Sequence, residues 1–246
     1  MLKAKDFRKI ARDGIKGRWP VAVVAGLIAT LLGGTTNTSN GITYKFEQQM
    51  DQMMEGFAAD PSVSALVAVL LSTVAIVAAI YTLVYLIVGG AVSLGYARFN
   101  LNLINNNNPD IKDVFSQFNR FKAGFVMVIL RTVYIFLWSL LFVIPGIIAT
   151  YSYAMTPYIL MENPDMTASE ALKASKELMK GNKWRLFSLQ FSFIGWDILC
   201  GFTAGIGYLV LNPYRAAADA AFYREIKWEK YKRDFDAQNA SDTANA

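Results

Sequence analysis

Residues 124–161 read GFVMVILRTVYIFLWSLLFVIPGIIATYSYAMTPYILM and contain one charged side chain, Arg131. A membrane-spanning helix needs about 20 mostly apolar residues, so this segment is too long for a single crossing. Its middle holds Ile144-Pro145-Gly146, which is a turn signal because proline lacks an N–H and glycine tolerates positive φ. The pattern predicts two spans joined by a tight turn, Gly124–Val143 and Pro145–Met161.

Further apolar segments predict the remaining crossings. Trp19–Thr36 is the first, and Val63–Leu94 is longer than a hydrocarbon core requires, so it must tilt, project or bend near Gly89–Gly90. Leu186–Phe222 has a break at residues 203–207 and therefore predicts two more spans. The chain is 54% hydrophobic and only 17% charged. We therefore predict an all-α polytopic membrane protein of about six transmembrane helices.

Positive charge sets the predicted orientation of these spans. Segments 1–18, 98–123, 162–185 and 215–246 hold 22 of the 24 Lys and Arg residues. Cytoplasmic loops carry an excess of Lys and Arg, so these segments and both chain ends are predicted to be cytoplasmic. The acidic loop 37–60 is predicted to be extracytoplasmic. A four-span fold with re-entrant hairpins has the same cytoplasmic segments, so charge does not separate the two topologies.

The N-terminus resembles a signal peptide, because basic residues precede the apolar run 21–32. No clear A-x-A cleavage site follows this run, which we therefore interpret as an uncleaved first span. The sequence predicts a single integral membrane domain over residues 1–235.

Two cytoplasmic segments share a nearly identical opening, at residues 108–111 (NPDI) and 163–166 (NPDM). Each opening precedes apolar residues at helical spacing. Asp110 and Asp165 are predicted N-caps. Thr167-x-x-Glu170 matches the capping-box pattern, so a helix is predicted to begin there.

A third version of this unit is predicted at the N-terminus. The apolar stripe there consists of Phe7, Ile10, Ala11, Gly14 and Ile15. It ends in KGRW, as the last unit ends in KGNKW, and a glycine in this place stops a helix. The predicted units, each an interfacial amphipathic helix followed by a membrane hairpin, are 1–100, 108–161 and 163–223. The predicted interfacial anchors are Trp19, Trp184 and Trp228.

The residue types of the chain exclude several kinds of chemistry. There is no histidine, and Cys200 is the only cysteine. The usual ligand sets for zinc, copper and iron, Ser-His-Asp and Cys-His catalysis, and an internal disulfide are therefore absent. No phosphate-binding glycine loop or nucleophile with a base is present. The sequence predicts no enzyme activity, no metal site and no cofactor.

Motifs along the second half of the chain resemble a known family. They are Ile144-Pro145-Gly146-Ile147-Ile148, Tyr151-Ser152-Tyr153, Pro157-Tyr158-Ile159-Leu160, Trp184-Arg185-Leu186-Phe187, Phe193-Ile194-Gly195-Trp196, Gly205-Ile206-Gly207, Asn212-Pro213-Tyr214 and Ala221-Phe222-Tyr223-Arg224-Glu225. Together they resemble the bacterial membrane family catalogued as domain of unknown function 975. The resemblance extends over nearly the whole chain, is most specific from about residue 110 to 226 and implies a bacterial cytoplasmic membrane protein. It implies no catalytic residues.

A looser likeness reaches the membrane domain of some glycerophosphodiester phosphodiesterases. It rests on Pro145-Gly146 and on the Ala-x-x-x-Ser-x-x-Leu-x-x-Gly pattern of residues 171–181. The insert 37–60 departs from the pattern of the family.

Arg131 and Asp197 are candidate intramembrane polar residues. An arginine inside a span is a functional-site candidate. Arg131 is only about 10 Å deep at helical rise, however, so its side chain can also extend back to the cytoplasmic phosphates. Asp197 is expected in the outer half of the fifth span, where it is either an interfacial carboxylate or in need of a partner. The different depths of the two residues argue against a direct pair.

Asn212, Arg215 and Asp219 are three further candidates. Asn212-Pro213 is expected to interrupt the sixth span, and broken helices with polar residues form the sites of some transporters. An interfacial kink with an i,i+4 ion pair between Arg215 and Asp219 explains the same residues, and we favour that interpretation.

The basic and aromatic tail completes the functional hypotheses. Trp228, Tyr231 and Phe235 lie among basic residues that are balanced by acidic ones, which favours anionic lipid over nucleic acid as the partner. Residues 236–246 are predicted to be disordered. The leading hypothesis is a non-enzymatic scaffold that contacts inner-leaflet lipids and other membrane proteins. The alternative is a small transporter or flippase-like permease.

Overall fold

The computed structural model describes residues 2–31, 61–203 and 205–244. Within these ranges the chain forms helices and turns and no strand, which confirms the predicted all-α class. The loop 37–60 and the end of the first predicted span lie outside the described residues. The helices are α1 (Ala4–Ile15), α2 (Trp19–Leu31), α3 (Pro61–Ile104), α4 (Lys112–Phe115), α5 (Phe121–Leu141), α6 (Val143–Ser152), α7 (Thr156–Glu162), α8 (Ala168–Leu178), α9 (Lys183–Phe191), α10 (Ile194–Phe202) and α11 (Tyr208–Ala244).

Three helical segments are long and apolar enough to cross a membrane. They are Ala65–Thr82, Lys112–Leu141 and Val143–Glu162, with mean hydropathies of 2.4, 2.0 and 1.2. No residue of Ala65–Thr82 is buried inside the protein, so its entire apolar surface is available to lipid. Trp19–Thr30 is apolar but shorter.

The chain breaks between two of these segments at Phe142, and the predicted turn residues Ile144-Pro145-Gly146 lie instead in the first turn of α6. Phe142 is extended, with φ −164° and ψ 156°, and it separates α5 from α6. Pro145 lies in the first turn of α6, where its missing N–H costs no helical hydrogen bond. Gly146 packs directly against Ser139 of α5, so any side chain there would collide with the other arm of the hairpin.

Two other breaks follow local signals in the same way. Pro157 lies in the first turn of α7, and the chain leaves the helix just before it, at Tyr153–Met155. Gly205 adopts φ +87° in the turn between α10 and α11, as the glycine-rich sequence predicts. The break between α9 and α10, at Ser192–Phe193, has no such signal and was not predicted.

Helix α3 is one continuous helix of 44 residues, about 66 Å long at helical rise. It does not break at Gly89–Gly90. Gly90 instead lets α3 cross α5 at Gly124 with backbone against backbone, because a Cβ on either glycine would overlap the other residue. Gly95 packs in the same way against the carbonyl group of Val114. The glycines of α3 therefore serve close packing.

Helix α1 packs its predicted stripe against α11. Phe7, Ala11, Gly14 and Ile15 are buried, and the Phe7 ring meets the Phe222 ring edge-on at 5.4 Å. Gly17, with φ +78°, ends this segment, and Gly181, with φ +76°, ends α8. The predicted glycine stops are therefore confirmed.

The start of α8 confirms one predicted cap and corrects another. Thr167 and Glu170 form the reciprocal capping box, with the Thr167 N–H donating to Glu170 at 2.8 Å. This donation lowers the pKa of Glu170. Asp165 is not the N-cap, because the helix begins two residues later than predicted. Asp110 is not the N-cap of α4 either; its carboxylate accepts from the Lys112 N–H at 3.1 Å as part of the turn before that helix.

Helix α11 corrects two predictions. It runs without interruption through Pro213, which lies near its N-terminus, where the loss of a single helical hydrogen bond is tolerated. It also continues to Ala244, whereas the sequence predicted disorder from residue 236. Opposite charges lie four residues apart along this exposed part of the helix, a spacing typical of solvated helices. These pairs are Glu229 with Arg233, Lys230 with Asp234, and Lys232 with Asp236.

Replacement of Gly124 by alanine is expected to destabilise the fold, because the new methyl group would lie 2.6 Å from the carbonyl carbon of Gly90. Overpacking of this kind typically costs ~1–3 kcal/mol, so the thermal unfolding midpoint in detergent should fall. Gly195→Ala is the matched control, since no atom lies within 4 Å of its Cβ position. Equal midpoints for the two variants would contradict the close crossing of α3 and α5.

Candidate functional site

A cavity of about 140 Å³ lies where α3, α5, α6, α7, α9 and α11 meet. Its walls are unusually polar for the interior of an apolar bundle. The polar residues that line it are Ser93, Tyr96, Arg131, Thr150, Tyr151, Tyr158, Gln190, Asn212 and Asp219. Three of the five polar candidates from the sequence, Arg131, Asn212 and Asp219, therefore meet in one place.

The cavity lies close to the charged ends of the helices. Ala97 is about two turns before the end of α3, Gln190 is about two turns after the start of α9, and Asp219 precedes the exposed Arg224 by between one and two turns. At helical rise, the first two separations are about 10 Å and the third is about 7.5 Å. The three helices therefore bring their polar residues to a similar depth.

Asp219 is the acidic group of the cavity. Its Oδ1 atom is buried and has no hydrogen-bond partner among the described residues. The Gln190 side-chain amide lies close enough to the carboxylate to stabilise its charged form. The carboxylate is also close enough to act electrostatically on the phenol groups of Tyr96, Tyr151 and Tyr158. A buried carboxylate oxygen without a partner is costly, so this atom is a candidate ligand acceptor.

Tyr96 provides a second buried polar atom that lacks a partner. The residue is only 5% exposed, and within the described ranges no group reaches its hydroxyl with hydrogen-bonding geometry. Its ring stacks on Phe99 at 6.2 Å, which helps to fix its position. Tyr96 and Asp219 thus line the same cavity, and each carries a buried polar atom without a hydrogen-bond partner among the described residues.

Arg131 reaches the cavity from α5 and is partly buried. It lines the cavity together with Thr150 and Ala154 of the neighbouring hairpin arm. Thr150 donates its hydroxyl proton to the Gly146 carbonyl at 3.0 Å, so its oxygen lone pairs remain available. The cavity therefore holds one cationic and one acidic side chain, contributed by different hairpins.

Arg215 pairs with Asp197 across the last hairpin, at 2.7 Å. The predicted i,i+4 ion pair between Arg215 and Asp219 is wrong, because Asp197 on α10 takes that place. The side chains of Arg215 and Asp197 are only 15% and 30% exposed, and the guanidinium lies 5.4 Å from the centroid of the Phe193 ring. Sequence depth alone did not predict this pair, because the break at Ser192–Phe193 changes the course of the chain between α9 and α10.

A groove that contains this ion pair adjoins the cavity. Tyr151 and Gln190 line both spaces, whereas Asp197 and Arg215 line the groove but not the cavity. Polar side chains are therefore continuous from Asp219, near the charged end of the helices, to Asp197 in the more apolar part. Gln190 was missed at the sequence level, although an amide within an apolar segment is a recognisable signal. Tyr96, Tyr151 and Tyr158 gave no signal, because tyrosine is common near membrane surfaces.

The three tryptophans predicted as anchors differ in exposure. Trp184 is 74% exposed and Trp228 is 57% exposed, whereas Trp19 is only partly exposed. Trp228 begins a row of stacked rings on α11 that continues through Tyr231 to Phe235, with ring centroids 5.6 and 6.4 Å apart. We call these three residues the aromatic row.

The chemistry available in the cavity is ionic and hydrogen-bonding. In the described parts of the chain, His, Cys, Asp and Glu side chains do not gather into a group of three or more, as a metal centre would need. Cys200 is buried as a free thiol. The cavity is thus suited to a polar organic solute or a small ion held by side-chain contacts.

A double-mutant cycle at Arg215 and Asp197 is expected to reveal strong coupling. Arg215→Met and Asp197→Leu should each destabilise the protein, because each leaves a partly buried charge unpaired, while the double variant should recover part of the loss. We expect a coupling energy of about 0.5–3 kcal/mol from unfolding in detergent mixtures. The matching cycle at the exposed Lys230 and Asp234 should give a value near zero. Equal coupling in both cycles would contradict a special role for the buried pair.

Comparison with known sequences completes the description. The sequence model of the family described as "Protein of unknown function (DUF975)" matches residues 1–149 and 140–230. No curated protein and no solved structure matches the chain. The looser likeness to glycerophosphodiester phosphodiesterase membrane domains stays a prediction. Because the two matched segments together extend from residue 1 to residue 230, the chain belongs to the DUF975 family.

Proposed function

We propose that the protein crosses a bacterial cytoplasmic membrane six times, as three units, with both chain ends in the cytoplasm. Lys112–Leu141 and Val143–Glu162 support this proposal, since they form an apolar hairpin around Phe142. Ala65–Thr82 supplies a further apolar helix. The four basic segments of the sequence favour a cytoplasmic position for the charged helix ends.

Exposed apolar surface supports the last hairpin of this topology. Phe202, at the end of α10, is 84% exposed, and Ile206, in the turn, is 70% exposed. A continuous apolar surface is unfavourable in water and favourable against lipid. The other exposed apolar residues of this hairpin are Ile194, Trp196, Ile198, Leu199, Leu209 and Val210. Re-entrant hairpins would present the same surface to lipid, so the two topologies need a direct test.

The function we infer is that of a small permease whose solute site is the polar cavity. The observation that carries this inference is the meeting of Arg131, Asn212 and Asp219 in a single cavity, with the Arg215–Asp197 pair in the adjoining groove. Ionisable groups within a membrane bundle are costly, and they commonly mark the path of a substrate or ion. The unsatisfied atoms of Asp219 and Tyr96 favour a ligand over a purely structural network.

A scaffold is the second candidate function, and the aromatic row on α11 favours it. Trp228, Tyr231 and Phe235 are each more than half exposed. Basic residues lie on the same helix, and Lys232 and Arg233 line a shallow groove together with Lys180. Aromatic and basic residues on one exposed helix suit contact with anionic lipids or other membrane proteins. We rank this function second because it rests on exposed side chains. The cavity residues, in contrast, contain buried polar atoms without partners among the described residues.

Cysteine accessibility separates the six-span topology from re-entrant hairpins. In a Cys200→Ala background, Phe142→Cys and Ile206→Cys should react with a membrane-impermeant maleimide added to intact cells, because six spans place both turns outside. Both side chains are at least 70% exposed, so the new thiols would be reachable. Lys173→Cys, on the exposed face of the cytoplasmic α8, is the control and should react only after permeabilisation. Protection of both turns would favour the four-span fold.

Reconstitution tests the permease function. Proteoliposomes should take up at least one member of a panel of labelled solutes, namely methylammonium, acetate and an amino-acid mixture, in a saturable manner. Asp219→Asn and Arg131→Gln should lower that uptake about tenfold or more, since each removes a charge from the cavity. Asp236→Asn changes an exposed acid on the same helix as Asp219 and should leave uptake unchanged.

Uptake no faster than in protein-free liposomes, for every solute of the panel, would argue against the permease. A parallel measurement of fluorescent phospholipid movement between leaflets covers a flippase-like activity. If neither occurs while crosslinking through residue 228 recovers specific lipid or protein partners, the scaffold function is favoured instead.

A further inference from the structure

The cavity contains charges of both signs on opposing elements. Asp219 reaches it from α11, and Arg131 reaches it from α5. We propose that the ligand of the cavity is a small zwitterion, with its ammonium group at Asp219 and Tyr96 and its anionic group at Arg131. This inference rests on the proposed function, and it names the class of solute that the site would take.

The acceptors at one end of the cavity fit an ammonium group. The Oδ1 atom of Asp219 and the hydroxyl of Tyr96 are buried and without partners among the described residues, so they offer two acceptors to one donor group. Tyr151 and Tyr158 line the same cavity near Asp219. Tyrosine rings around a carboxylate are a favourable environment for an ammonium ion, because the ring faces attract positive charge. The proposed ammonium site therefore combines one charged and several polarisable groups.

The guanidinium of Arg131 fits the anionic group of the same ligand. It carries five N–H donors in a planar fork that matches a carboxylate or a phosphate. A guanidinium donates to several acceptors at once, so contacts of Arg131 with the protein are compatible with a further contact to a ligand. Asn212 and Gln190 add amide groups between the two charged ends.

Charge balance disfavours a simple ion in this cavity. A lone cation drawn to Asp219 would share the cavity with Arg131, and a lone anion drawn to Arg131 would share it with Asp219. The adjoining Arg215 also acts electrostatically on Asp219, but its own carboxylate partner is Asp197, so the pair adds no net charge beside the cavity. A dipolar ligand satisfies both charged groups at once.

The volume of the cavity limits the size of the ligand. About 140 Å³ is well below the volume of sites that hold drug-sized molecules, which begin near 300 Å³. The space suits a small amino acid or the headgroup of a zwitterionic lipid. Both carry an ammonium and an anionic group a few bonds apart. A headgroup would have to enter about 10 Å from the charged helix ends, close to the depth of the lipid interface.

Ligand binding to the purified full-length protein tests the proposal. Ethylamine is alanine without its carboxylate and propionate is alanine without its ammonium group, so only alanine carries both charges at neutral pH. Alanine is expected to raise the thermal unfolding midpoint in detergent, while ethylamine and propionate at equal concentration have little effect. In nanodiscs, phosphatidylethanolamine in place of phosphatidylglycerol tests the headgroup as the source of the zwitterion.

Substitutions in the cavity connect binding to the proposed contacts. Asp219→Asn should weaken alanine binding about tenfold or more, because it removes a charge-assisted hydrogen bond. Tyr96→Phe removes only a hydroxyl and should weaken binding severalfold in a fold that is otherwise unchanged. Tyr231→Phe, on the exposed aromatic row, is the control and should bind as the unaltered protein does.

Each outcome of this experiment decides the proposal. Stabilisation by alanine supports the proposal and identifies a free amino acid as the zwitterion. Stabilisation by phosphatidylethanolamine alone supports it and identifies the lipid headgroup. Equal stabilisation by ethylamine or propionate overturns the zwitterion while leaving a solute site intact, so the permease function would survive. No response to any probe, or full alanine binding in both cavity variants, also overturns it. The permease itself is judged separately, by solute uptake into proteoliposomes.

Discussion

The backbone contact between Gly90 and Gly124 sets the distance between α3 and α5, and the cavity depends on that distance. Ser93 and Tyr96 follow Gly90 by one to two turns on α3, and Arg131 follows Gly124 by two turns on α5. Because the two helices touch without intervening side chains, this crossing sets the distance between the helix segments that carry Tyr96 and Arg131. A larger residue at the crossing would separate the buried Tyr96 from the partly buried Arg131.

The two carboxylates within the bundle, Asp197 and Asp219, have different surroundings. Arg215 and Asp197 are paired at 2.7 Å and are further stabilised by the Phe193 ring, so each charge has its counterion. Asp219 has only the amide of Gln190 and the field of Arg215, and one of its oxygens is unsatisfied. A purely structural network would be expected to satisfy both carboxylates to a similar degree. The contrast identifies Asp219 as the group through which an external ligand would act.

The features that could be predicted from the sequence are helix breaks, caps and stops, because these depend on local backbone geometry. The break just before Pro145, the capping box of Thr167 and the stops at Gly17 and Gly181 each depend on a few neighbouring residues. The pairing of Arg215 with Asp197 depends on how two helices fold back on each other, which periodicity does not encode. The convergence of α3, α5, α9 and α11 on one cavity is likewise a tertiary property. Disorder from residue 236 was predicted from composition, whereas α11 continues as an exposed helix to Ala244.

Helix α11 orients the site through a single stripe of residues. Asn212, Ala216, Asp219 and Tyr223 recur at intervals of three and four, so they occupy one face of the helix. Tyr223 ends the stripe and donates its hydroxyl proton to Glu162 of α7 at 2.5 Å. One to two turns further along α11, Glu229 accepts two hydrogen bonds from Arg185 of α9, at 2.7 and 3.1 Å. These contacts at the charged end fix the rotation of the helix about its axis. Asp219, one turn before Tyr223, is thereby held facing the cavity, although no hydrogen bond of its own Oδ1 atom keeps it there.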